Sequence, residues 1–163
     1  ALNKYKDVIP KGYVIFSELV GWCNEKPLQK NYTYQIPKGQ WEMYVYRISF
    51  VNPDGFSVDL SWDQVKEFCI NSGLKHVAEL ERGKKKNIQL DKYIDKKFRM
   101  DMGLTQCLPL DPESPLDEGL CIFISGLKSK TFKYKSPKFL LKESACVDKG
   151  EVDIEAEESG QSD

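Results

Sequence analysis

The sequence predicts an α+β domain built mainly on antiparallel strands. Strand-length apolar segments occur at 13–21, 43–50 and 120–124. One clearly delimited helix lies between them at 62–70, and long connections rich in Pro, Gly and charged residues join the pieces.

The first strand starts at Tyr13 and runs through Phe16-Ser17-Glu18-Leu19-Val20-Gly21, a carboxylate set among apolar residues. The second, Met43-Tyr44-Val45-Tyr46-Arg47-Ile48-Ser49-Phe50, is expected to place Tyr44, Tyr46 and Ile48 on one face by period-two alternation. Asp54-Gly55, after Pro53, reads as a turn. Ser61 is a suitable N-cap for the helix at 62–70, whose Val65, Phe68 and Cys69 recur at helical spacing and face a sheet. Asn71-Ser72-Gly73 stops it.

Residues 74–80 read as a short strand, 82–87 as a loop with Lys84, Lys85 and Lys86 in solvent, and 91–98 as a short helix. Residues 103–117, with Pro109, Pro112 and Pro115, form a connection with little regular structure. Asp117-Glu118-Gly119 then leads into the apolar strand Leu120-Cys121-Ile122-Phe123-Ile124. Thr131-Phe132-Lys133-Tyr134-Lys135 forms a further strand whose two lysines, at i and i+2, point the same way and suit a nucleotide phosphate. Lys138 and Lys142 coat the exposed side of the segment that follows.

A chain of 163 residues, 40% hydrophobic and 30% charged, suffices for one globular core. No apolar run reaches membrane-spanning length and no secretory signal pattern opens the chain, so no membrane partner is expected. The net charge of −1 conceals a division: eight acidic side chains and one basic one fall in 143–163, giving −7 there and leaving +6 on residues 1–142. The mildly basic part suits a phosphodiester ligand. We expect residues 1–146 to form the folded domain and the acidic stretch 147–163 to be a disordered tail that closes the protein. Five cysteines without a Cys-x-x-Cys pair, and His76 as the one histidine, exclude a Cys/His zinc site. They fit a reducing intracellular compartment, with His76 in a structural role, and a cytoplasmic monomer is expected.

The order of these segments resembles the covalent nucleotidyltransferase superfamily of polynucleotide ligases and capping enzymes, and more closely its ATP-dependent RNA ligases. Phe16-Ser17-Glu18-Leu19-Val20-Gly21 looks like motif III of that family, Tyr44-Val45-Tyr46-Arg47-Ile48 like IIIa, Glu118-Gly119-Leu120-Cys121-Ile122 like IV and Lys133-Tyr134-Lys135 like V. The resemblance spans residues 13 to about 143 and implies the two-sheet nucleotidyltransferase fold, with the nucleotide between the sheets.

What the resemblance implies for function is the sealing of RNA 5′-phosphate and 3′-hydroxyl ends through lysyl-AMP and RNA-adenylate intermediates, with ATP as the AMP donor and Mg²⁺ or Mn²⁺ as the metal. Lys133 and Lys135 would neutralise the α-phosphate, and Glu118 would hold the metal directly or through water. Glu18 would accept from the ribose hydroxyls or join the metal shell. Tyr46 would stack on adenine, with Tyr44 the alternative. The family's nucleophile lies in a Lys-x-Asp-Gly motif upstream of motif III, and no lysine stands two residues before Asp54-Gly55. The chain is therefore expected to be a fragment that lacks this lysine and cannot charge itself with AMP. Arg47 departs from the family pattern, which is often acidic there, and its role is open. The same motifs leave two alternatives: an inactive nucleotide- or RNA-end-binding module, or a DNA ligase or capping enzyme. The latter normally continue into an oligonucleotide-binding domain after motif V, where this chain turns acidic, so RNA ligase is preferred.

Overall fold

The strand-rich segments at 13–21 and 43–50 become the two longest strands, with Tyr13–Gly21 paired antiparallel to Trp41–Phe50. The computed structural model describes residues 5–29, 34–84, 89–94 and 118–148 of the chain. Its elements are β1 (Tyr13–Cys23), β2 (Lys26–Pro27), β3 (Trp41–Val51), β4 (Ser57–Asp59), α1 (Trp62–Ser72), β5 (Lys75–His76), α2 (Leu90–Ile94), β6 (Gly119–Ile124), β7 (Lys130–Lys135) and α3 (Pro137–Asp148). The class is α+β with mostly antiparallel strands. A five-stranded sheet runs in the order β2-β1-β3-β4 with β5 also on β3, and β6 and β7 form a separate antiparallel pair.

In the large sheet, β1 covers one edge of β3, while β4 and β5 share the other. The pairing of β1 with β3 contains a bulge. Phe16 stands opposite Arg47 and Ser17 opposite Val45, so Tyr46 is an extra residue in β3. The bulge corrects the expectation that Tyr44, Tyr46 and Ile48 share a face. Met43, Val45 and Ile48 are all buried in one core with Val65, Cys69 and Leu74. A spacing of three between Val45 and Ile48 on one side of a strand is possible because the inserted Tyr46 resets the alternation. Ile48 therefore faces the core, and Tyr44 and Tyr46 lie outside it.

The helix α1 forms for local reasons. Ser61 Oγ accepts from the Gln64 N–H while the Gln64 side chain accepts from the Ser61 N–H, a reciprocal capping box. Gly73 ends the helix in the left-handed conformation (φ 65°), donating to the carbonyls of Cys69 and Ile70. Val65 and Cys69 are buried against β3, as their spacing predicts. Burial pushes the Cys69 thiol up to about 11, consistent with a small hydrophobe and not a reactive nucleophile.

The sequence predicts a strand over 74–80, of which only Lys75–His76 pairs, parallel to Tyr44–Val45 of β3. The edge of β3 is already occupied by β4 at Ser49–Val51. Past the Val77 N–H, which donates to the Val45 carbonyl, the chain leaves the sheet. Glu79 pairs with Lys66 (2.8 Å) and Arg82 (2.6 Å), and Arg82 also grips Asp63 with two donors. His76 is half-buried, edge-on to Trp62 with ring centroids 5.7 Å apart, and donates through Nδ1 to the Val77 carbonyl.

The segment after β7, for which the sequence analysis predicts no element, is a helix. Pro137 occupies its first turn, where a missing N–H costs nothing, and the Leu140 N–H reaches back to the Ser136 carbonyl. The helix runs to Asp148, two residues into the expected tail. The rest of that tail, the connection 103–117, Lys85, Lys86 and residues 95–98 of the expected helix lie outside the described residues, as do the side chains of 146–148. Among the described residues, no helix is long and apolar enough to cross a membrane.

Candidate functional site

The hairpin of β6 and β7 sets the two lysines. Its register pairs Gly119 with Lys135 and Cys121 with Lys133, so both lysines, Gly119 and Cys121 share one face. Gly119 is indispensable to that geometry. It sits at φ 154°, and a Cβ there would lie 2.1 Å from the Tyr134 carbonyl oxygen. The Ser136 N–H donates to the Glu118 carbonyl at 2.8 Å, extending the ladder one step beyond the strands and fixing Glu118 beside β7.

The Glu118 carboxylate lies 3.7 Å from the Lys133 ammonium, whose side chain is 64% exposed. Such a pair is weak in water and leaves the lysine accessible to a solvent-borne anion. Lys135 is in a different setting. Its ammonium lies 3.0 and 3.3 Å from the two carboxylate oxygens of Glu143 on α3 and 5.6 Å from the centroid of the Phe139 ring.

On the large sheet, Glu18 of β1 stands directly opposite Tyr44 of β3. Glu18 is exposed, and it is near enough to Cys121 on the hairpin to act on its thiol. Desolvation raises the Cys121 pKa, Lys133 opposes the rise, and Glu118 and Glu18 add to it. The Cys121 thiol thus lies within electrostatic range of Glu18, Glu118 and Lys133. Tyr44 donates through its hydroxyl to Glu42 at 2.6 Å and carries the Lys75 ammonium over its ring at 5.6 Å. Glu42 and Lys75 are themselves paired at 2.6 Å. Burial, together with the Glu42 carboxylate, pushes the Tyr44 phenol well above its usual value. Tyr46, at the bulge, is 38% exposed.

The site as read from sequence missed a buried carboxylate. The Asp59 carboxylate, on a side chain 4% exposed, accepts from Arg47 Nε (3.0 Å) and Ser49 Oγ (2.6 Å) at Oδ1, and from the N–H (2.7 Å) and Oγ (2.5 Å) of Ser129 at Oδ2. Burial alone would raise its pKa. The hydrogen bonds from Ser129, Ser49 and Arg47 outweigh that and hold the carboxyl well below the usual range. Arg47 now has a role: its guanidinium lies over the Phe16 ring, 4.5 Å from the centroid, and clamps Asp59.

Among the described residues, no group of three or more His, Cys, Asp or Glu side chains is arranged to hold a metal ion. Glu118 and Glu18 have hard carboxylate oxygens of the type that Mg²⁺ and Mn²⁺ accept, typically alongside waters and substrate phosphates. Neither models of known protein families nor curated proteins match this sequence.

Proposed function

We propose that this chain is the nucleotide-binding part of an ATP-dependent RNA ligase, with the adenylate held between the β1–β3 surface and the β6–β7 hairpin. The observation that carries the reading is the hairpin face that sets Lys133 and Lys135 side by side, with the Glu118 carboxylate 3.7 Å from the Lys133 ammonium. The two lysines on one hairpin face neutralise the α-phosphate, Lys133 as an exposed cation and Lys135 as a held one. Glu118 and Glu18 fit a divalent metal as single carboxylate ligands. When bound, such a metal supplies charge neutralisation at the phosphate oxygens. Glu18 is the acceptor for ribose hydroxyls, and Tyr46, exposed at the bulge, is the aromatic that stacks on adenine. The nucleotidyltransferase fold, the RNA-end substrate and the cytoplasmic, monomeric state belong to the same proposal.

No Lys-x-Asp-Gly motif occurs in these 163 residues. For this chain the proposal is therefore binding of ATP or AMP, and lysyl-AMP formation belongs to a polypeptide that also carries that lysine. Equilibrium dialysis with labelled ATP and Mg²⁺ tests it: saturable binding that Lys133→Ala weakens about tenfold or more is the expected result. Absence of binding overturns it. The second reading, a nucleotide-binding module without ligase activity, rests on the missing lysine motif. It is favoured if the intact coding region also lacks that lysine and no acid-labile AMP adduct forms.

A further inference from the structure

Resting on the nucleotide-binding reading of Lys135, we propose that Glu143 is a positioning residue that holds the Lys135 ammonium in place for the nucleotide phosphate. Glu143 stands outside the motifs that the sequence presents. The structure seats Lys135 on one face of α3. Phe139 and Glu143, four residues apart, lie on that face. Phe139 is buried and lies under the ammonium, and the Glu143 carboxylate meets it with both oxygens at 3.0 and 3.3 Å.

The two hairpin lysines differ in a way that argues for a built position. Lys133 is 64% exposed and meets its carboxylate at 3.7 Å, while Lys135 and Glu143 are 24% and 15% exposed and in direct hydrogen-bond contact. A lysine is a compact charge on a flexible four-carbon stem, and ordering that stem opposes binding. Glu143 orders it before any ligand arrives. One carboxylate oxygen of Glu143 suffices to hold the ammonium, so a phosphate oxygen can take the place of the other as acceptor. The frame is short and stiff: Lys135 is one residue from Ser136, whose N–H is bonded to the Glu118 carbonyl, and α3 starts at Pro137. The distance from Lys135 to the Glu118 backbone is thereby tied to the start of α3.

A double-mutant cycle on ATP binding tests the proposal, with Glu143→Ala, Lys135→Ala, the double variant and the isosteric Glu143→Gln. Lysine ammonium signals in nitrogen-edited NMR spectra are followed in parallel. We expect Glu143→Ala to weaken ATP binding about tenfold in the wild-type background and to change nothing once Lys135 is Ala. Glu143→Gln, which keeps an oxygen acceptor, should retain most of the affinity, and the protected Lys135 ammonium signal should be lost in Glu143→Ala. An effect of Glu143→Ala that persists in the Lys135→Ala background marks a merely structural pair and overturns the proposal. If Lys135→Ala weakens binding and neither Glu143 variant does, the positioning role falls while the nucleotide-binding reading stands. A wild-type chain that binds no ATP overturns both.

Discussion

Ser129 gives both its N–H and its hydroxyl to Oδ2 of Asp59, at 2.7 and 2.5 Å, across 70 residues of sequence. This contact, with the Asp59 N–H donating to the Leu127 carbonyl, ties the loop of the β6–β7 hairpin to the edge strand of the large sheet. The charge is buried, so its removal leaves Arg47 and Ser129 short of an acceptor. Asp59→Ala should cost about 3–5 kcal/mol by urea unfolding, as expected for breaking a buried charged pair. A cost below about 1 kcal/mol would mean that the network is not formed.

The same carboxylate sets an acid limit. Its pKa is depressed in the folded protein, so its contribution is fully present above the unfolded value of about 4 and is lost as pH falls below that toward the folded value. Stability measured by chemical denaturation from pH 6 down to 2 should fall in that window. Asp59→Asn should be less stable at pH 6 and show a flatter acid profile, and an unchanged profile would remove Asp59 as its source.

Gly119→Ala should disrupt the hairpin, because both the backbone conformation and the Tyr134 carbonyl refuse a Cβ. We expect a loss of about 2–4 kcal/mol in thermal unfolding, and with it loss of ATP binding, since Lys135 pairs with that residue. Normal stability and binding in this variant would show that the β6–β7 register is different.

Ser61→Ala removes the N-cap of α1 and should destabilise by about 1 kcal/mol without altering nucleotide affinity. Circular dichroism melting measures the first and dialysis the second. A change in affinity would place α1 in the site.

Tyr46 and Tyr44 are separated by their surroundings. Tyr46 is exposed, whereas the Tyr44 hydroxyl and ring are engaged by Glu42 and Lys75. Tyr46→Ala should weaken ATP binding by about 1–3 kcal/mol if it stacks on adenine, a range typical of base stacking on an aromatic ring. Tyr44→Phe should leave binding within about twofold of wild type. The reverse pattern would transfer the stacking role to Tyr44.

The elements visible in the sequence are those with local causes. The helix α1 is announced by Ser61 and Gly73, β1 and β6 by strand-length apolar runs, and β3 and β7 by alternation. What sequence reading lost depends on partners. The bulge at Tyr46 exists only relative to β1, and the short β5 follows from competition with β4 for one edge of β3. Asp59, in a chain with 25 acidic residues, looks like any surface carboxylate until Arg47, Ser49 and Ser129 are placed around it. One missed element did have a local signal: Ser136-Pro137 is a helix start, and α3 follows it. Of the candidate site, the hairpin brings Glu118 within 3.7 Å of Lys133, whereas Glu143 lies in a segment whose composition shows only its acidity.

The extra residue at Tyr46 also works as a register lock. An unbroken antiparallel pair can slide by two residues and still present the same sides to core and solvent. Here a slide of any size would carry the inserted residue away from the Phe16–Ser17 gap that accommodates it, and Val45 and Ile48 would no longer fall inward together. The strands β1 and β3 consequently have one alignment open to them, and it is the one that sets Glu18 across from Tyr44. Removing Tyr46 outright would do more harm than replacing it, because a deletion erases the notch while a substitution keeps it.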